Sequence, residues 1–170
     1  MAIAHRMKQL GRAEAELSAA CWAMASVKSE LRVPFATLAE EHRAAAAELG
    51  VAGRVTWTGG IGEAALVDLY ACALGIVFPP FDEDYGYITL EAFLSRKPVV
   101  TTTDAGGPLE FVEDNVTGLV ADPSPESIGA AVNRLADDRR FAQSLGDSGY
   151  DRVRAITWDG VVDRLMANGR

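Results

Sequence analysis

The chain has 170 residues, 49% of them hydrophobic and 24% charged, with a formal net charge of −8. That length supports one domain with its own core, and the acidic balance argues against a nucleic-acid or anionic-membrane surface. A small anionic ligand stays open, because a helix N-terminus binds phosphate even in an acidic protein.

In chain order, Ile3, Met7 and Leu10 repeat at helical spacing, as do Leu17, Cys21 and Met24, with Gly11 between the sets. Residues 1–30 therefore read as a degenerate helical segment, and 31–170 as the α/β unit. No stretch near the start is apolar for long enough to be a signal peptide or a membrane span, which points to a cytoplasmic location. Leu31-Arg32-Val33 reads as a short strand cut by Pro34. Thr37 reads as an N-cap, with Glu40 completing a capping box, for a helix through Leu49 that Gly50 ends. Arg54 to Gly59 alternates and is rich in β-formers, so a strand is expected there. Leu66, Leu69, Tyr70 and Ala73 then form the buried stripe of a helix.

Gly75-Ile76-Val77-Phe78-Pro79-Pro80 reads as a buried strand that stops abruptly. Leu90, Phe93 and Leu94 have helical spacing, and Pro98 to Thr103 resumes as a strand. The intervening stretch, Glu83 to Glu91, is thus a strand-to-helix turn inside a βαβ unit. Such a turn presents free N–H groups and a partial positive charge to a phosphate. Gly86 would let the backbone come close to that ligand. Glu83 stands at the strand's carboxyl edge and Glu91 about two turns into the helix. A carboxylate there can accept both hydroxyls of a vicinal diol such as a ribose, so the arrangement suits a nucleotide-linked sugar.

Further on come a Gly106-Gly107 turn, a short helix begun by Pro108 with Glu110 in its first turn, and a last strand from Thr117 to Asp122. Ser124 caps a helix with Pro125 at its first position and Ile128, Val132 and Leu135 on its core face. Phe141 and Leu145 begin another helix, expected to be interrupted near Gly146 and Gly149. Trp158, Val161, Val162 and Leu165 mark a final amphipathic one. The expectation is a Rossmann-like α/β fold of five parallel strands, near 31–33, 54–59, 75–80, 98–103 and 117–122, with helices on both faces.

Each polar residue also has a plainer reading. Glu83 can be a solvated carboxylate in an acidic loop, and Glu91 a mid-helix glutamate facing water; the spacing to Leu90 and Phe93 leaves its direction open. Asp82 and Asp84 make an Asp-x-Asp pattern, but short patterns arise by chance in an acidic chain, so no metal and no cofactor is expected. His5 and His42 read as surface histidines. Cys21 and Cys72 read as reduced, partly buried thiols. Arg96 and Lys97 end the helix after Glu91 and face its C-terminal dipole.

Phe81-Asp82-Glu83-Asp84-Tyr85-Gly86 through Glu91-Ala92-Phe93, then Lys97-Pro98-Val99-Val100 and Gly106-Gly107-Pro108-Leu109-Glu110, together carry a resemblance. Over residues 50–168 the chain resembles the donor-binding C-terminal domain of retaining glycosyltransferases. These are glycosyl transferases group 1, with two facing Rossmann-like domains (a GT-B architecture) and a Glu-x7-Glu motif. The resemblance implies transfer of a hexosyl group from a nucleotide-diphosphate sugar to an acceptor. It implies that Glu83, the catalytic candidate, contacts hydroxyls of the transferred sugar and that Glu91 grips the ribose diol. The backbone around Tyr85, Gly86, Tyr87 and Ile88 would hold the distal phosphate and sugar, with Gly60 and Ile61 against the nucleobase. Arg12, in a faint Gly-Arg turn, would hold the diphosphate. The family has a lysine a few residues after that turn, whereas none occurs here between Lys8 and Lys28. Met1 to Leu10 does not read as the family's opening strand, and the acceptor domain is missing from the sequence. The alternative expectation is therefore a truncated, inactive nucleotide-sugar-binding or interaction module, with a separate or upstream acceptor domain. A sugar-nucleotide epimerase of similar architecture fits the Glu83–Glu91 stretch less well.

Overall fold

A computed structural model describes residues 35–167. The helical segment expected at 1–30, the strand at 31–33, and Arg12, His5 and Cys21 lie outside those residues. Six helices are described: α1 (Phe35–Glu48), α2 (Glu63–Cys72), α3 (Tyr87–Leu94), α4 (Pro125–Asp137), α5 (Arg139–Val153) and α6 (Trp158–Ala167). Three strands, β1 (Ile76–Val77), β2 (Val99–Thr102) and β3 (Gly118–Ala121), form a parallel sheet in the order β1-β2-β3. The class expected from the sequence, a Rossmann-like α/β fold, is the class observed.

Prolines set the short strand lengths. Ile76 N–H donates to Pro98 O at 2.9 Å and Phe78 N–H to Val100 O at 2.8 Å. Pro79 and Pro80 follow and have no N–H with which to extend that ladder. In register, Ile76 stands beside Val99, and Val100 beside Leu119.

Alternation along these strands divides the core in two. On one face Ile76, Phe78 and Val99 pack with Tyr70 and Ala73 at the end of α2 and with Ala92 and Phe93 of α3. On the other, Val100, Leu119 and Ala121 pack with Ile128, Ala131 and Leu135 of α4 and with Ala142 and Leu145 of α5. Each fully buried Val, Leu, Ile or Phe among them contributes about 1.5–3 kcal/mol. A one-residue slip of β2 would exchange Val99 and Val100 between the two cores, so the register is fixed from both sides.

Three expectations need correction. Residues 54–59 are not a strand: Arg54 closes a 3-10 turn, Ala52–Arg54, and residues 55–59 join no ladder. The alternation itself is real, since Val55 and Trp57 pack on Ala46 and Val51 while Thr56 and Thr58 are exposed. A ladder also needs a neighbouring backbone, and no described strand runs beside this segment. Next, α5 runs unbroken through Gly146 and Gly149, both buried. A Cβ at Gly146 would strike the Arg96 carbonyl, and one at Gly149 the Phe93 ring. Those glycines mark where α5 presses on α3, not where a helix breaks. Last, α1 begins at Phe35, which puts Thr37 inside its first turn and not at its cap.

Candidate functional site

The chain leaves β1 through Phe78, Pro79 and Pro80 and turns at Asp82, whose φ is 48°. It then lies against the loop that follows β2. Asp82 N–H donates to Asp104 O at 2.9 Å, Glu83 N–H to Ala105 O at 3.0 Å, and Gly107 N–H to Glu83 O at 2.6 Å. Glu83 and Gly106 thereby form a parallel bridge beyond the sheet. Such an approach requires glycine on the far side. A Cβ at Gly106 would lie 2.6 Å from Glu83 O, and one at Gly107 2.5 Å from Asp84 O. Gly106 also has a φ of 75°, where a side chain is strained. The Gly-Gly turn, which the sequence explained as a tight turn alone, seats the backbone of Glu83. Its outer side is braced by Arg152 of α5, which donates to Glu110 O at 3.1 Å and pairs with Glu113 at 2.9 Å.

Gly86 is the N-cap of α3, in the left-handed region at φ 75° and ψ 61°. The sequence assigned it to close approach of a ligand, and the structure gives a different reason. Gly86 is buried, and a Cβ there would lie 2.7 Å from Pro108 Cγ and 3.2 Å from Phe78 Cε1. The glycine lets the helix start against the loop after β2. With no side chain at the cap, α3 begins uncapped. Thr89 N–H bonds back to Gly86 O at 2.9 Å, while the N–H groups of Tyr87 and Ile88 donate to no described group. An amide pair of this kind, on the positive end of a helix, is the elementary anion site.

Tyr85 is half-buried, 5.0 Å from the Tyr87 ring and 5.3 Å, edge-on, from Phe111. Tyr87 projects, with 61% of its surface exposed, and Ile88 packs on the core. Glu83 is half-buried and Glu91 exposed. Glu91 is the fifth residue of α3, hence a little over one turn from its start and not two. Its direction, open in the sequence, is settled by a hydrogen bond: the Tyr70 hydroxyl donates to Glu91 Oε2 at 2.9 Å. The sequence placed Tyr70 only in a buried stripe. The available signal was that a buried tyrosine needs a partner for its polar tip.

Gly60 and Ile61 stand on the exposed loop that opens α2, with Ile61 40% exposed and open space beside Gly60. No hydrogen bond among the described residues joins that loop to Glu83 or Glu91. Cys72 is exposed, not partly buried as expected. Arg96, at φ 57°, does more than face a helix dipole. It pairs with Asp147 of α5 at 2.8 Å and stacks over the Tyr150 ring at 3.9 Å. Hydrogen bonds from Arg96 and Gln143 hold the Asp147 carboxyl below the usual carboxylate range. Among the described residues, no group of three His, Cys, Asp or Glu is placed to hold a metal, and no helix is long and apolar enough to cross a membrane.

The parallel sheet covered by helices is a Rossmann-like α/β domain, and the solved structures that it resembles are glycosyltransferases of the GT-B type. Residues 37–152 match the glycosyl transferases group 1, and the chain belongs to that family, as a C-terminal domain. The D-inositol 3-phosphate glycosyltransferase of Streptomyces griseus subsp. griseus is 31% identical over 67% of this chain and 24% of its own length. The chain thus spans about a quarter of the length of that curated relative. Among solved structures, sucrose-phosphate synthase from Thermosynechococcus elongatus is 28% identical with a TM-score of 0.69, covering 76% of this chain and 33% of that one. Anabaena HepE in complex with UDP and glucose shares the fold at 20% identity, with a TM-score of 0.70 over 78% of this chain and 36% of that one.

Proposed function

We propose that this chain is the nucleotide-sugar-binding domain of a retaining glycosyltransferase that moves a hexosyl group to an acceptor. One observation carries the reading: Glu83, the uncapped start of α3 and Glu91 follow one another along a single turn at the carboxyl edge of the sheet. Phosphate oxygens of the donor would accept from the N–H groups of Tyr87 and Ile88. Glu83 would receive hydroxyls of the transferred sugar, and Glu91 the two ribose hydroxyls. Neither carboxylate need act as a base. In the complete enzyme the reaction depends on holding the acceptor against the donor carbon and on stabilising the departing diphosphate. Gly60 and Ile61 would lie against the nucleobase, and Arg12 would add a positive charge to the diphosphate. The Anabaena relative in fold holds UDP and glucose, which makes UDP the first nucleotide to try.

Calorimetry on the 170-residue chain tests this with UDP, GDP and ADP and their glucose and mannose conjugates. Loss of a hydrogen bond to a charged group costs about 1.5–3 kcal/mol, or about 10- to 150-fold in Kd. Glu91→Ala is expected to weaken nucleotide and nucleotide sugar alike by that factor. Glu83→Ala is expected to weaken only the sugar conjugate. Equal losses for both ligands in the Glu83 variant would remove its sugar role.

A further inference from the structure

Tyr70 and Glu91 are twenty-one positions apart, on α2 and α3, and meet through the 2.9 Å hydrogen bond from the phenol to Oε2. The tyrosine is only 6% exposed, and its ring belongs to the core cluster that holds Ala73, Phe78 and Phe93. Glu91, by contrast, is exposed, and no described lysine or arginine pairs with it. A rigid neutral donor therefore holds a carboxylate that would otherwise sample several rotamers in water.

The chemistry of the donor matters. An ionised carboxylate has about four acceptor sites, and a guanidinium would occupy two of them at once while cancelling the charge. A phenol occupies one and leaves the charge in place. Oε1 and the second lone pair of Oε2 stay available for the two hydroxyls of a diol. We propose that Tyr70 is a positioning residue, which orients Glu91 in advance for a ribose and makes the site selective for ribonucleotides. This rests on the assignment of Glu91 to the ribose made above. Tyr70 itself touches no ligand; it acts by sparing the ligand the ordering of the Glu91 side chain.

The test compares the wild-type chain with Tyr70→Phe, Glu91→Ala and the double variant. The probes are UDP, GDP and ADP, each beside its 2′,3′-dideoxy form, and binding is measured by calorimetry. A thermal melt checks that each variant is folded. Immobilising one rotamer-rich side chain corresponds to about 2- to 12-fold in affinity. Tyr70→Phe is expected to weaken the best-bound ribonucleotide by such a factor and to leave its dideoxy form unchanged. In the double variant the Tyr70 change should add nothing to Glu91→Ala. If Tyr70→Phe weakens both forms of the nucleotide equally, or changes neither, the positioning role is overturned while Glu91 keeps its own. If Glu91→Ala binds ribo and dideoxy forms as wild type does, the ribose assignment of Glu91 fails first. If none of the three nucleotides binds, both fall together.

Discussion

Gly149→Ala sets two known effects against each other. Alanine in a helix interior is favoured over glycine by about 0.5–1 kcal/mol, so on propensity alone the variant is more stable. The structure reverses the sign. The new Cβ would meet three atoms of the Phe93 ring, with Cε1 at 2.7 Å and Cγ at 2.8 Å, and Phe93 is fully buried. Its ring has no solvent to move into, so α3 and α5 must part. Overpacking of this kind costs about 1–3 kcal/mol, and mid-range values of the two effects leave a net loss of about 1 kcal/mol. For a chain of this size that is a fall in Tm of about 2–4 °C. Gly160→Ala in α6 is the control, since the nearest atom to its Cβ is Thr157 Oγ1 at 3.3 Å. That contact is with a single hydroxyl oxygen and no ring, so the substitution should change stability by less than about 1 kcal/mol in either direction. Urea and thermal melts on both variants decide the matter. A Gly149→Ala protein as stable as wild type would refute the close helix contact and the account of both α5 glycines.

Three other substitutions have defined outcomes. Gly107→Ala brings a Cβ within 2.7 Å of Asp84 C and Tyr85 Cα, and should cost about 1–3 kcal/mol in a urea melt while weakening nucleotide-sugar binding in calorimetry. Thr89 is fully buried and its Oγ1 has no hydrogen-bond partner among the described residues, so Thr89→Val should be neutral or stabilising by about 1 kcal/mol in the same melt. Because the folded state depresses the Asp147 carboxyl, its contribution is present above the unfolded-state pKa and is lost as pH falls through the lower folded value. Asp147→Asn should therefore lose less stability than wild type on acidification below about pH 4, and parallel urea midpoints from pH 2 to 7 would refute that pairing.

The sheet was legible because its signals are local. The runs at Ile76, Val99 and Leu119 are apolar on both faces, as buried parallel strands must be, and prolines bound two of them. Residues 54–59 mislead for the same reason, since side-chain alternation says which way residues point and nothing about whether a neighbouring backbone is there to pair. The α5 glycines mislead because glycine breaks isolated helices yet also permits close packing, and only the position of Phe93 separates the two. At the site, the order of Glu83, Gly86 and Glu91 was plain in one linear stretch. What fixes those residues was not, because it comes from other parts of the chain: Gly106 and Gly107 under Glu83, Pro108 against Gly86, and Tyr70 on Glu91.

The hydrogen bonds between the loops after β1 and β2 bear on how such a site can be moved. Glu83 takes its place from Ala105 and Gly107 on another loop, at 3.0 and 2.6 Å, so the nine residues from Glu83 to Glu91 do not carry their own geometry. A transplant of that stretch into a different parallel sheet would bring the side chains without the surface that seats them. The smallest portable unit is two loops, residues 78–91 together with 103–110, on a pair of strands in the Ile76–Val99 register and with Tyr70 kept against Glu91. Within a lineage the same coupling ties the two segments together: a change that inserts or removes a residue between Thr103 and Gly107 shifts Glu83 without touching it.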